Sequence, residues 1–364
     1  MKKRIFFLTL IFMSSAFISV QAQFYKYSND FLNIGVGARS LALSNAVCAS
    51  TDDVTSAYWN PAGLLAIQDN LQVGAMHSEY FAGIAKYDYA AVAKPLIDKN
   101  KTVAFSIIRF AVDDIPNTIF LKEPDGSLNY DNISSFSAAD YAFLGSFASA
   151  SPIEGLKWGV NAKIVHRTVG TFAHSWGIGA DAGAQYWMGN FKFGFVAKDI
   201  TTTFNSWTYS FTDEETSALL AQNNVVPEGN TELTAPKFEL GSSYNYKIND
   251  NFSVNPEADL ELTSDGRRNV LIPSKFLSID PRIGVEGDYK QTVFLRFGIG
   301  NFQRVTDEVI NDKHLMVQPN IGVGLHLKKI TIDYALTNVG NFSSSLYSHV
   351  FSLKIGLNNN ATTK

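Results

Sequence analysis

A single cysteine, Cys48, occurs in the 364 residues, so no disulfide can close within the chain. Charged residues make up only 18%, and beyond the first 22 positions no apolar run is long enough to cross a bilayer as a helix. The histidines, His77, His166, His174, His314, His326 and His349, are scattered without the spacing of a zinc or haem site. No G-x-S-x-G elbow is present, so nothing pairs a serine with a histidine as a hydrolase would need. Gly177-Ile178-Gly179 and Gly322-Val323-Gly324 precede no helix and are not phosphate loops; within strands such glycines mark close packing, here against an internal element. The chain reads as a non-enzyme. No cofactor is expected beyond a bound lipid or detergent molecule.

What is present begins with an export signal over residues 1–22. Lys2, Lys3 and Arg4 form a positive start, Ile5 to Val20 an apolar core, and Val20-Gln21-Ala22 a small-residue cleavage site after Ala22. Cys48 lies far from that site, which excludes a lipoprotein anchor there. Loss of Lys2, Lys3 and Arg4 moves the formal charge from −4 to −7, which argues against a nucleic-acid partner.

The remainder alternates with period two. Pro256, Ala258, Leu260 and Leu262 share one face, with Asn255, Glu257, Asp259 and Glu261 on the other. Ile279, Pro281, Ile283 and Val285 oppose Asp280, Arg282, Glu286 and Asp288, and Ile330, Ile332, Tyr334 and Leu336 oppose Thr331, Asp333 and Thr337. Such runs are longer than the five or six residues usual in a soluble sandwich. Their polar faces mix acids and bases, as a polar lumen allows. Fourteen strands can be drawn. Every second connection is tight (Gly189-Asn190, Asn249–Asn251, Lys290-Gln291, Lys328), whereas 113–137, 205–235, 264–274, 304–314 and 339–346 are longer. Short turns at one end and long loops at the other are the pattern of an outer-membrane antiparallel β-barrel.

Between the signal and the first strand lies GVGARSLALSNAVCASTDDVTSAYWNPAGLL, residues 35–65. Thr51, Asp52 and Asp53 are placed to cap a short helical turn. Asn60 before Pro61 is pushed out of the helical region, and Gly63 permits a chain reversal. Gly37-Ala38-Arg39, the acidic pair and Asn60-Pro61-Ala62-Gly63-Leu64 resemble the N-terminal signature of the PorV/PorQ family of Bacteroidetes outer-membrane proteins, within the larger FadL-like group. The resemblance implies an all-β, FadL-like transmembrane barrel of about 14 strands with an N-terminal plug inside it. The expected division is signal 1–22, plug 23–68, barrel 69–357 and polar tail 358–364.

Two functions follow from the resemblance. PorV-like proteins belong to the type IX secretion system and engage translocon or surface-attachment proteins, or the C-terminal domains of secreted cargo, from the extracellular side. FadL-like barrels transport hydrophobic small molecules. The many charged inward positions favour a sealed polar lumen and hence secretion. A helix is expected at 213–224 with Asp213 as its cap. Partner contacts are expected at Phe120, Leu121, Trp207, Tyr209, Phe211, Leu219 and Leu220, although Trp207 and Tyr209 fit an aromatic girdle at the membrane surface equally well. Outer-membrane lipid would cover the wall.

Overall fold

The computed structural model describes residues 27–80, 83–97, 100–123, 125–306, 313–339 and 347–358. The expected export signal, and the polar tail beyond residue 358, lie outside the described residues.

Among the described residues, seventeen strands form one antiparallel sheet. In chain order they are β1 (Leu71–Tyr80), β2 (Ala85–Pro95), β3 (Lys101–Asn117), β4 (Ser134–Ala150), β5 (Leu156–Val169), β6 (Ala173–Met188), β7 (Phe191–Lys198), β8 (Thr203–Tyr209), β9 (Thr231–Thr234), β10 (Lys237–Tyr244), β11 (Tyr246–Lys247), β12 (Phe252–Thr263), β13 (Ser278–Tyr289), β14 (Val293–Thr306), β15 (Lys313–Leu327), β16 (Ile330–Thr337) and β17 (Ser348–Leu357). β1 pairs with β2 on one side and with β17 on the other, which closes the sheet. The result is the expected closed antiparallel β-barrel of 14 staves. Two staves are interrupted. β7 and β8 both pair with β6, end to end, across the turn at 199–202. β9 and β10 face them across a break at Ala235-Pro236.

The wall is inside out relative to a soluble protein. On β12, Glu257, Asp259 and Glu261 are buried while Leu260 is exposed. Leu295, Phe297, Val323, Ile332 and Phe351 likewise face outward on their strands and are exposed. An apolar wall of this extent marks a membrane contact, and its alternation with a polar interior is that of a membrane-spanning barrel.

Residues 28–67 run through the interior and are almost entirely buried. They form short helical turns, α1 (Ala38–Ala42) and α2 (Ser56–Trp59), with 3₁₀ turns at Asp30–Asn33 and Pro61–Ala66. Gly37 precedes α1 at φ 89°, a left-handed conformation that favours glycine. The segment is Gly- and Ala-rich because it presses on the wall, and the wall answers with glycine. A Cβ at Gly159, Gly194 or Gly298 would strike backbone atoms of Pro61, Cys48 or Leu43 and Ser44. At Gly74, Gly284 and Gly322 it would come within 3 Å of Val54, Leu43 and Ala42 side chains. Of the wall glycines read from the sequence as packing against an internal element, Gly322 alone meets this segment. Gly177 and Gly179 instead make room for Asn205 and Thr203 of β8, and Gly324 for Asp333 and Arg296.

Candidate functional site: the lumen and its long-loop mouth

The signature residues are anchors. Arg39 pairs with Glu286 at 2.9 Å. Glu286 also pairs with Arg296 at 2.6 Å, and Arg296 with Asp333 at 2.7 Å. Lys354 lies 3.6 Å from Asp333 and pairs with Asp53. Six alternating charges thus start and finish on the inner segment and cross β13, β14, β16 and β17 between. Elsewhere the backbone N–H of Cys48 donates to Asp259 at 2.9 Å, and that of Ala49 to Glu257 at 2.8 Å. Asn60 donates to the carbonyls of Cys48 and Ala184, both at 3.0 Å, while its Oδ1 accepts from the Ala62 N–H and caps the Pro61–Ala66 turn. This 3₁₀ turn contains Gly63, so the chain does not reverse there. Glycine is needed because a Cβ would strike the Thr51 carbonyl and the Ser56 side chain. Ala62 and Leu64 are fully buried.

The acidic pair divides its work. Asp52 is exposed and caps no helix, since α2 has no side-chain cap. Asp53 accepts from the Thr55 N–H at 2.8 Å and the Thr55 hydroxyl at 2.5 Å. Burial alone would raise the Asp53 pKa, but the Lys354 ammonium and Thr55 hydroxyl override it and hold it at about 2, against an ordinary 3.8. Because the folded value is depressed, the resulting stabilisation is present above about pH 4 and is lost as pH falls from there through 2. Asp53→Asn is expected to weaken docking of the inner segment by roughly 2 kcal/mol at neutral pH and to flatten the pH dependence between 4 and 2. The buried Cys48 thiol, 1% exposed, supplies the readout through its rate of reaction with an acid-tolerant disulfide reagent. A parallel pH dependence in the variant would refute the assignment.

The lumen has two sides. From β6 round to β17 it is charged, as the alternation suggested. From β1 to β4 it is largely apolar: Tyr87, Tyr89, Ile108, Ala142 and Leu144 are buried there with Val165 of β5, packed with Val36, Tyr58, Trp59 and Leu64 of the inner segment, whereas β5 also turns Asn161 and Lys163 inward. The expectation of a uniformly polar lumen is corrected by these strands. Their inward phase carries small apolar and aromatic residues that the outward phase also carries, so alternation of polarity could not distinguish the faces.

At the long-loop mouth an aromatic shelf bounds a cavity of about 390 Å³. Ile119, Phe136, Val169, Phe172, Trp207, Tyr209 and Phe211 line it. Phe172 packs edge-on against Phe136 and stacks on Phe211, with centroids 5.2 and 5.8 Å apart. Trp207 and Tyr209 share the inward face of β8 with the buried Thr203 and Asn205. The girdle assignment for them is therefore corrected. The shelf gathers Trp207, Tyr209 and Phe211 but not Phe120, Leu121, Leu219 or Leu220. Phe120 and Leu220 are exposed, and Leu121 and Leu219 are half-buried. The helix α3 (Asp213–Ala221) is capped by Thr212 in a reciprocal box with Glu215, so Asp213 lies in its first turn and is not the cap. Gln222 donates to the Ile119 carbonyl at 2.8 Å, tying α3 to the β3–β4 connection. Phe136, Val169 and Phe172 escaped the sequence reading; the one signal was the apolar residue on the inward phase at a strand end.

Below the shelf runs a polar row. Arg167 pairs with Asp140 at 2.9 Å and Glu232 at 3.4 Å, and Trp207 Nε1 donates to Glu232 at 3.1 Å. A second cavity of about 40 Å³ lies beyond it, beside Asn29, Lys163, Lys198 and Thr234. That is room for about three waters.

No family model matches the chain, and no curated protein matches it. Solved structures do. The Ralstonia pickettii toluene transporter TbuX, the CymD monoaromatic hydrocarbon channel and the Pseudomonas putida toluene transporter TodX each align with a TM-score of 0.55 at 12% identity, over 89% of this chain and 98% of theirs. At that identity the likeness is one of fold.

Proposed function

We propose that the protein is a non-enzymatic outer-membrane barrel that takes up small hydrophobic molecules, with its long loops outside and residues 23–68 as its plug. The observation that carries this is the aromatic shelf inside the mouth. Its volume, about 390 Å³, falls within the usual range of ligand sites, and its lining is mostly aromatic and aliphatic. The fold shared with toluene transporters supports the same reading. The apolar side below is filled by Tyr58, Trp59 and Leu64, so passage requires the plug to shift. The double variant Phe172→Ala/Trp207→Ala is expected to weaken binding of toluene to the detergent-solubilised barrel about tenfold or more, measured by calorimetry. Unchanged binding would remove the shelf from the pathway.

The secretion reading rests on the Gly37-Ala38-Arg39 and Asn60–Leu64 signature and on Phe120 and Leu220, which stand exposed at the long-loop end. Affinity purification in mild detergent decides between the two. Recovery of a translocon barrel or of cargo sharing a C-terminal domain supports secretion, and recovery of the barrel with an apolar small molecule supports uptake.

A further inference from the structure

The two ends of the barrel carry charge of opposite sign. At the long-loop end Asp113, Asp114, Asp125, Asp131, Asp213 and Glu214 are all exposed. At the tight-turn end one arc of the rim is positive. Lys290 in the β13–β14 turn, Lys328 and Lys329 in the β15–β16 turn, and Lys94 and Lys101 flanking the β2–β3 turn are exposed. These turns follow one another round the rim, because the sheet runs from β13 through β17 and β1 to β3 in that order. Among the described residues no ion pair takes any of the five lysines. The described acids beside them are occupied. Asp288 is buried and accepts from the Ser253 hydroxyl and, at 2.9 Å, from the Gln291 N–H. Asp69 is half-buried and accepts from Gln72 Nε2 at 3.2 Å.

Their neighbours set the height of these lysines against the bilayer. Val92, Val103, Tyr289, Leu327 and Ile330, each one or two residues from a lysine of the arc, face outward and are exposed, as lipid-facing side chains of such a wall are. Lys290 Nζ lies 5.3 Å from the centroid of the Tyr289 ring. The five ammonium groups therefore stand where the apolar wall ends, at the level of the headgroups. A lysine stem lies along apolar surface while its charged head reaches polar groups, and the ammonium is a compact point charge suited to phosphate. The acids of the far end do not cancel the arc. The apolar band between is roughly 25 Å tall, well beyond the screening length of about 8 Å at physiological salt.

We infer that this arc is a binding site for anionic phospholipid headgroups, such as phosphatidylglycerol, in the leaflet that meets the tight turns. The inference depends on the chain being a membrane barrel and not on what the barrel transports. In the test, the full-length barrel is reconstituted in phosphatidylcholine bilayers, and spin-labelled phosphatidylglycerol and phosphatidylcholine are compared by the fraction of each immobilised on the wall. One lysine near an anionic lipid is worth about fivefold. Averaged over a wall of which the arc is one part, phosphatidylglycerol should associate at least about twofold more strongly, and the excess should shrink in about 1 M salt. Lys328→Gln/Lys329→Gln should lower the ratio. Lys122→Gln/Lys275→Gln, which removes the same charge from exposed long-loop positions, should leave it unchanged. Glutamine at all five arc positions, each exposed and outside the lumen, should bring the ratio to about one. Equal association in the wild type overturns the inference. So does an equal fall in the two double variants, which would be an effect of net charge, and so does a preference that survives loss of all five lysines. Equal lipid association together with binding of a poly-glutamate peptide would give the arc to an acidic protein instead.

Discussion

Arg296→Met is expected to destabilise the protein by about 3–5 kcal/mol, the cost of breaking a buried ion pair from one side. Arg296 is 5% exposed and joins Glu286 at 2.6 Å to Asp333 at 2.7 Å. Without it Asp333, 1% exposed, retains among the described residues the ion pair with Lys354 at 3.6 Å, and Glu286 retains Arg39. Removing the charges together should be far milder, because an apolar replacement of a whole buried network avoids stranding one sign. The triple variant Glu286→Leu/Arg296→Met/Asp333→Leu is therefore expected to recover much of the loss in the wall, while Arg39 loses its anchor. The folded-to-unfolded shift on heating in detergent measures both. A single variant costing under 1 kcal/mol would mean that water screens the network.

Gly298→Val should expel the inner segment from its seat. The new side chain meets backbone atoms of Leu43 and Ser44, which cannot rotate away as a side-chain tip could. Overpacking of this kind costs about 3 kcal/mol, so Cys48 should react with a thiol reagent about a hundredfold faster than in the wild type. Gly145→Val supplies the control, since nothing lies within 4 Å of a Cβ there on β4. Cys48 protected equally in both variants would show that the segment adjusts without leaving. The pair separates a steric requirement of the lumen from the general effect of valine in a barrel strand.

Both predictions concern a lumen only half of which could be read in the sequence. Charged positions such as Asp259, Glu286 and Asp333 announce themselves because they alternate with apolar neighbours; a polar residue between two lipid-facing ones has one place to go. Ile108 and Leu144 carry no such signal. They alternate with residues that are also apolar, and the inner segment supplies the dry surface they need. The shelf was half legible for a related reason. Trp207, Tyr209 and Phe211 stand out as aromatics in a long connection, but whether they face lipid or lumen depends on the phase of β8, which resumes after the turn at 199–202. Phe136 and Phe172 come from other strands and a hairpin turn, and only closure of the barrel brings them to the same place.

The sequence by itself determined the barrel. Where the inward face is polar, period-two alternation fixes which atoms meet lipid; tight and long connections fix the two ends, and strand number follows from the count, all local properties of the chain. It also marked residues 35–65 as the special segment. The pairing of that segment with the wall was decided only by the tertiary structure. Arg39 finds Glu286, Asp53 finds Lys354, and Cys48 finds Gly194 across more than a hundred residues, because a closed sheet places side chains from opposite strands around one narrow axis. Such partners share no spacing in the chain, so no local pattern can record them.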